Sequence, residues 1–158
     1  TMSPRIEAIA AAFEGANFNA VASRDILQDM WEKWAFIAAT AGLTSLMRAS
    51  VGDIMSAGGR DIALAIVADC AAIAAHNGHP LREPALQRMQ GALTAAGSPM
   101  TASMYRDLRL GGKVEADHVV GDLLARAPRA DIAAPSVLRT AYVHLKAYEA
   151  QRAREGAI

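Results

Sequence analysis

Apolar residues recur along this chain at three- and four-residue intervals, and alternation of apolar with polar residues never lasts beyond a few positions. That rhythm suits helices and leaves no run fit to serve as a strand, so the fold class is all-α. Glycine and proline cut the rhythm into pieces. Ser3 followed by Pro4 opens a first helix, with Ile6, Ile9, Ala10 and Phe13 on one side. Residues 15–22 form a connector with short extended character. Ser23 caps a second helix over 24–41, which Gly42 ends or bends. Residues 43–48 make a further short helical piece, and 51–59 read as a loop. Helices are expected over 61–76, stopped by Asn77-Gly78, then over 82–96, over 99–110 and over 115–126. Pro135 opens the last one, whose stripe is Val137, Leu138, Ala141, Tyr142, Leu145 and Tyr148, and whose tail is solvated. The total is about seven or eight helices.

Composition narrows the function classes. A chain of 158 residues, 53% hydrophobic, suits one packed domain rather than a disordered segment. Sixteen basic residues balance sixteen acidic ones, and no basic block stands out, so nucleic acid is not an expected partner. The longest apolar stretch, Ile62 to Ala75, is interrupted by Asp69 and rich in alanine, so no membrane span is expected. A lone cysteine, Cys70, rules out an internal disulfide and reads as a small core hydrophobe, consistent with the cytoplasm. No metal site is expected, because His76, His79, His118 and His144 lack ligand spacing. His76 and His79 flank Asn77-Gly78, where a helix C-terminus favours them. No glycine fingerprint or phosphate loop is present.

One charge is out of place. Lys33 lies between Trp31 and Trp34, and no other charge follows until Arg48. On a helical projection Ile26, Leu27, Met30, Trp31, Trp34, Ile37 and Ala38 form an apolar stripe. Asp25, Gln28, Asp29 and Glu32 fall opposite, and Lys33 sits at the stripe's border. Periodicity alone makes Lys33 a snorkelling lysine, its stem on the apolar face and its ammonium in water.

Three pieces in order alter that reading: MWEKW at 30–34, SMYRDLRLGGKVEADHVVGDLL at 103–124, and IAAPSVLRTAYVHLKAYE at 132–149. Together they resemble the C-terminal helical domain of ketopantoate reductases, of the 6-phosphogluconate dehydrogenase C-terminal-domain-like type. The family pattern is W-x-K, then S-M-x-x-D-x-x-x-G-x-x-x-E-x-D, then a proline-led closing helix. The resemblance implies that 1–158 form a single helical substrate-binding and dimerisation domain. It implies NADPH-dependent reduction of a 2-oxo acid in the cytoplasm, as in pantothenate biosynthesis, by a homodimer. Lys33 then matches the family's general acid, which protonates the alkoxide formed as hydride reaches the ketone. Partial burial beside Trp31, Trp34 and Ile37 would lower its pKa. Ser103 matches the substrate-binding serine, though a first-turn serine satisfying backbone groups reads equally well. Glu115 matches the cofactor-binding glutamate, against the alternative of an acidic residue at a helix start. Asp117 also matches a family aspartate but reads as steadying the helix start, and Asp107 reads as structural.

The pattern is incomplete. Family asparagines that hold the substrate are replaced by Ile37 and Ala41, and a third aligns roughly with Val51, so the pocket is expected to be more apolar than a ketopantoate site. The family's N-terminal Rossmann NADPH domain has no counterpart here. Thr1 ahead of Met2 reads as a scar or a cut within a longer chain, and alone the chain is expected to be inactive and to bind NADPH weakly. The rival reading is a non-catalytic helical module that pairs with another chain.

Overall fold

The structure is a computed structural model that describes residues 2–129, 131 and 134–156. Thr1, and Ile132 and Ala133 of the closing motif, lie outside the described residues. The described residues form helices joined by turns and extended connectors, with no strand among them. The elements are α1 (Pro4–Ala12), α2 (Ile26–Met47), α3 (Val51–Ser56), α4 (Arg60–His76), α5 (Glu83–Leu93), α6 (Ser103–Arg109), a π-helical turn (Asp117–Gly121), α7 (Asp122–Leu124) and α8 (Val137–Arg154).

Helix α2 is the axis of the molecule and packs on α4 and α8. Its buried face is made of small residues, among them Ala35, Ala38, Ala39, Ala41 and Gly42. Gly42 does not end the helix. A Cβ at that position would lie 2.8 Å from Ile66 Cδ1 and 3.3 Å from the Ala141 Cβ. The glycine is there to let α4 and α8 approach, and packing overrides its helix-breaking tendency. The helix stops instead at Arg48, which adopts the left-handed conformation with φ 52°. Its N-cap is Asp25, which accepts from the Gln28 amide. Ser23 lies further out and hydrogen-bonds Asp29.

The stretch expected as a loop at 51–59 contains α3, started by a reciprocal capping box between Ser50 and Asp53. Conversely, the helix expected from Pro99 begins only at Ser103. Residues 98–102 are held as an extended strap: the Val51 amide donates to Met100 O at 3.0 Å, Gly52 to Ser98 O at 2.8 Å, and Ala102 to Thr44 Oγ1 at 3.2 Å. The strap crosses so close to α3 that a Cβ on Gly52 would lie 2.6 Å from the Ser98 nitrogen.

Asp69, the charge that interrupts the long apolar stretch, accepts a hydrogen bond from the Leu138 amide at 2.9 Å. It satisfies the free N-terminus of α8 alongside Ser136, the N-cap. Cys70 is fully buried, and burial pushes its thiol pKa well above the ordinary range. No helix among the described residues is long and apolar enough to cross a membrane.

Gly52→Ala should lower stability by about 1–3 kcal/mol, because backbone on both sides must move. Gly91→Ala, at an exposed helical site with nothing within 4 Å, should raise it by up to about 1 kcal/mol. Urea denaturation midpoints of the two variants check both signs.

Candidate functional site

The exposed side of α2 follows from its buried side. With alanine and glycine turned inward, the larger apolar residues Ile26, Leu27, Met30 and Ile37 lie outward, each at least 41% exposed. The stripe read from the sequence is therefore divided. Its inward part is Trp31, Trp34 and Ala38, packed on the core.

The two tryptophans anchor α2 on the side away from Lys33. Trp31 stacks on His79 with ring centroids 5.3 Å apart, and the His79 ring hydrogen-bonds Gln28. His79 is thus held by an aromatic stack as well as by its helix end. Trp34 donates its indole N–H to Val119 O at 3.0 Å and lies under the Arg126 guanidinium. Val119 belongs to the π-helical turn, which closes from the Asp122 amide to Asp117 O. A π turn leaves a carbonyl without its regular partner, and Trp34 takes it.

Lys33 is exposed rather than partly buried, because the tryptophans turn toward Val119 and His79. It lines a cleft of about 490 Å³ between α2 and α5, with Phe36, Leu81, Met89 and Arg88. Asp29 and Glu32 border the same cleft, yet neither pairs with Lys33. Arg82 takes both, with Nε at 2.6 Å and a second nitrogen at 2.8 Å from the Glu32 carboxylate, and another contact to Asp29. Hydrogen bonds from Arg82 hold the Glu32 pKa down at about 2, and that of Asp29 is lowered chiefly by Ser23 and then by Arg82. Local sequence carried no sign of this network, since Arg82 lies 50 residues from Glu32.

Ser103 is the first residue of α6, and Glu115 lies just before the π-helical turn. Both are exposed. Neither lines the Lys33 cleft, so the chain does not gather the three around one cavity of its own. Both belong to segments tied to α2, Ser103 through the Ala102–Thr44 bond and Glu115 through the turn that Trp34 grips. Among the described residues, the side-chain polar atoms of Lys33, Ser103 and Glu115 have no hydrogen-bond or ion-pair partner. Asp117 is structural: it accepts from Tyr142 at 2.7 Å and from Lys146 at 2.8 Å, fastening the π turn to α8. Ile37 is on the surface, whereas Ala41 and Val51 are in the core and face no ligand. No group of metal-ligating side chains occurs among the described residues.

A helical bundle whose polar candidates all open outward from one axial helix is the helical half of an oxidoreductase. The chain matches the family described as ketopantoate reductase PanE/ApbA C terminal over residues 25–149, and it belongs to that family. It is 36% identical to the uncharacterised oxidoreductase YkpB of Bacillus subtilis over 150 residues, covering 94% of this chain and 49% of that one. The crystal structure of 2-dehydropantoate 2-reductase from Methylococcus capsulatus superposes with a TM-score of 0.78 at 29% identity, covering 96% of this chain and 48% of the other. A dimeric ketopantoate reductase from Staphylococcus aureus has the same fold, with a TM-score of 0.79 at 20% identity over 96% of this chain and 53% of its own. The chain spans about half the length of the relatives it matches.

Because the Glu32 pKa is depressed from 4.5 to about 2, its pairing stabilises the fold fully above the upper value. That contribution is lost as pH falls toward the lower one. Arg82→Leu should therefore be less stable than the parent at pH 7, with the two curves converging by about pH 2. Denaturation midpoints measured against pH test this, and parallel curves would show that Arg82 does not set the Glu32 pKa.

Proposed function

We propose that this chain is the substrate-binding and dimerisation domain of an NADPH-dependent reductase of a 2-oxo acid, ketopantoate or a relative, with Lys33 as proton donor. In this reading residues 1–158 are one domain, an N-terminal Rossmann domain holds the cofactor, and the whole protein is a homodimer. The observation that carries the proposal is the state of Lys33 in a chain of this family. It is an unpartnered ammonium on an otherwise apolar exposed face, and Arg82 has claimed the two carboxylates beside it.

The chemistry follows from that placement. Hydride addition to a carbonyl carbon leaves negative charge on its oxygen. An ammonium nearby stabilises the charge and then transfers its proton, becoming an amine that solvent reprotonates. Covering the face with a second domain excludes water and strengthens the interaction. Ser103, with a free hydroxyl, can donate to a substrate carboxylate or carbonyl. NADPH, when bound, supplies the hydride. Toward it this chain offers the Glu115 carboxylate, which accepts from hydroxyl or amide donors but does not cradle phosphates. The pyrophosphate therefore belongs to the other domain.

Position 37 bears on the substrate. An isoleucine there cannot hydrogen-bond a hydroxyl, so a substrate with an apolar chain beside its 2-oxo acid group suits this face better than a hydroxylated one.

In the full-length protein, Lys33→Ala should lower kcat by about 10²- to 10⁴-fold with unchanged circular dichroism. Wild-type turnover in that variant would refute the assignment. Ile37→Asn should shift kcat/KM toward ketopantoate, relative to an unhydroxylated 2-oxo acid, by about tenfold, one hydrogen bond's worth. Steady-state kinetics with both substrates measure the shift.

A further inference from the structure

Helix α1 is at odds with the rest of the molecule. It is well formed, with Ser3 accepting from the Ile6 amide and Pro4 in its first turn, yet none of its residues is buried. Ile6, Ile9 and Phe13 are 39%, 45% and 45% exposed on one side of it. The connector adds Phe18 and Val21 at 60% and 76%, with the Phe18 ring set edge-on to Phe13, centroids 5.5 Å apart. Between α1 and the connector lies an apolar groove of about 400 Å³, whose lining runs on to Ile26. Ile26 in turn begins the exposed row Ile26, Met30, Lys33, Ile37 along α2, at helical spacing. One continuous apolar surface thus runs from α1 to Lys33. Patches of this extent on a folded chain mark an interface.

The comparisons identify what covers it. The C-terminal family match begins at residue 25, after α1 and the connector. The match to the Methylococcus capsulatus enzyme covers 96% of this chain, so it takes in most of residues 1–24 as well. That enzyme is about twice as long as this chain. Residues 1–24 therefore correspond to structure present in the whole relative yet outside its C-terminal family unit. We infer that α1 and the connector dock, through the Ile6–Ile9–Phe13 face, onto the amino-terminal half of the same protein, and that this contact continues along α2 to border Lys33. The inference rests on the two-domain reading above but not on the role of Lys33 in catalysis.

Hydrogen–deuterium exchange on the full-length protein tests it. A nine-residue helix with nothing against its apolar side is marginal in water, so its amides exchange near intrinsic rates unless the face is covered. The expected result is slowing of about 100-fold or more across residues 6–22, unchanged on diluting the protein. Exchange at intrinsic rates overturns the inference. So does protection that disappears on dilution together with a fall in oligomeric state, which would make a second copy the occupant. Ile9→Asp should speed exchange in residues 4–23 while α4 peptides stay protected. Loss of α4 protection would mean general unfolding, and the dilution series on the parent protein then decides. Since no activity is read, an inactive Lys33→Ala or a fully active one leaves the outcome unchanged.

Discussion

The close seating of α2 against α4 and α8 governs the rest of the molecule. It depends on side chains no larger than a methyl group where the axes approach, and on none at all at Gly42, where Ile66 and Ala141 fill the space. Small side chains sacrifice apolar area per residue, but they let backbones come near enough for dense packing. They also decide what faces outward. A helix that turns alanines inward must present its isoleucines and methionine elsewhere, and that exposed row is where Lys33 stands.

How far the residues revealed this varies by element. The all-helical class, the burial of Cys70 and the long helices α4 and α8 follow from local periodicity, which the structure obeys. Gly42 was misleading because its role is a long-range approach, invisible in a window of neighbours. The capping box at Ser50 and Asp53 was a local signal present in the sequence and passed over in favour of the glycines after it. The strap at 98–102 is extended because α2 and α3 engage its backbone, and no side-chain pattern announces such bonds. Lys33 stood out as an isolated charge. Its freedom from Asp29 and Glu32 did not, since it depends on an arginine 50 residues away.

The departures from the family pattern divide into two physical kinds. Ala41 and Val51 replace polar residues at positions now inside the core, where an unpaired amide would be costly to bury. Ile37 replaces one at the surface, where nothing in this chain demands an apolar group. Only the second kind bears on ligand choice; the first records how tightly the bundle has closed.

Asp69 ties the end of the chain to its middle. Its carboxylate meets a backbone amide 69 positions later, so the final helix finds its starting point on a segment already laid down. During synthesis that acceptor would leave the ribosome well ahead of the helix it orients. The last-made part of the bundle is thereby given a fixed berth, and a truncated chain lacking it would leave an anionic group stranded against an apolar wall.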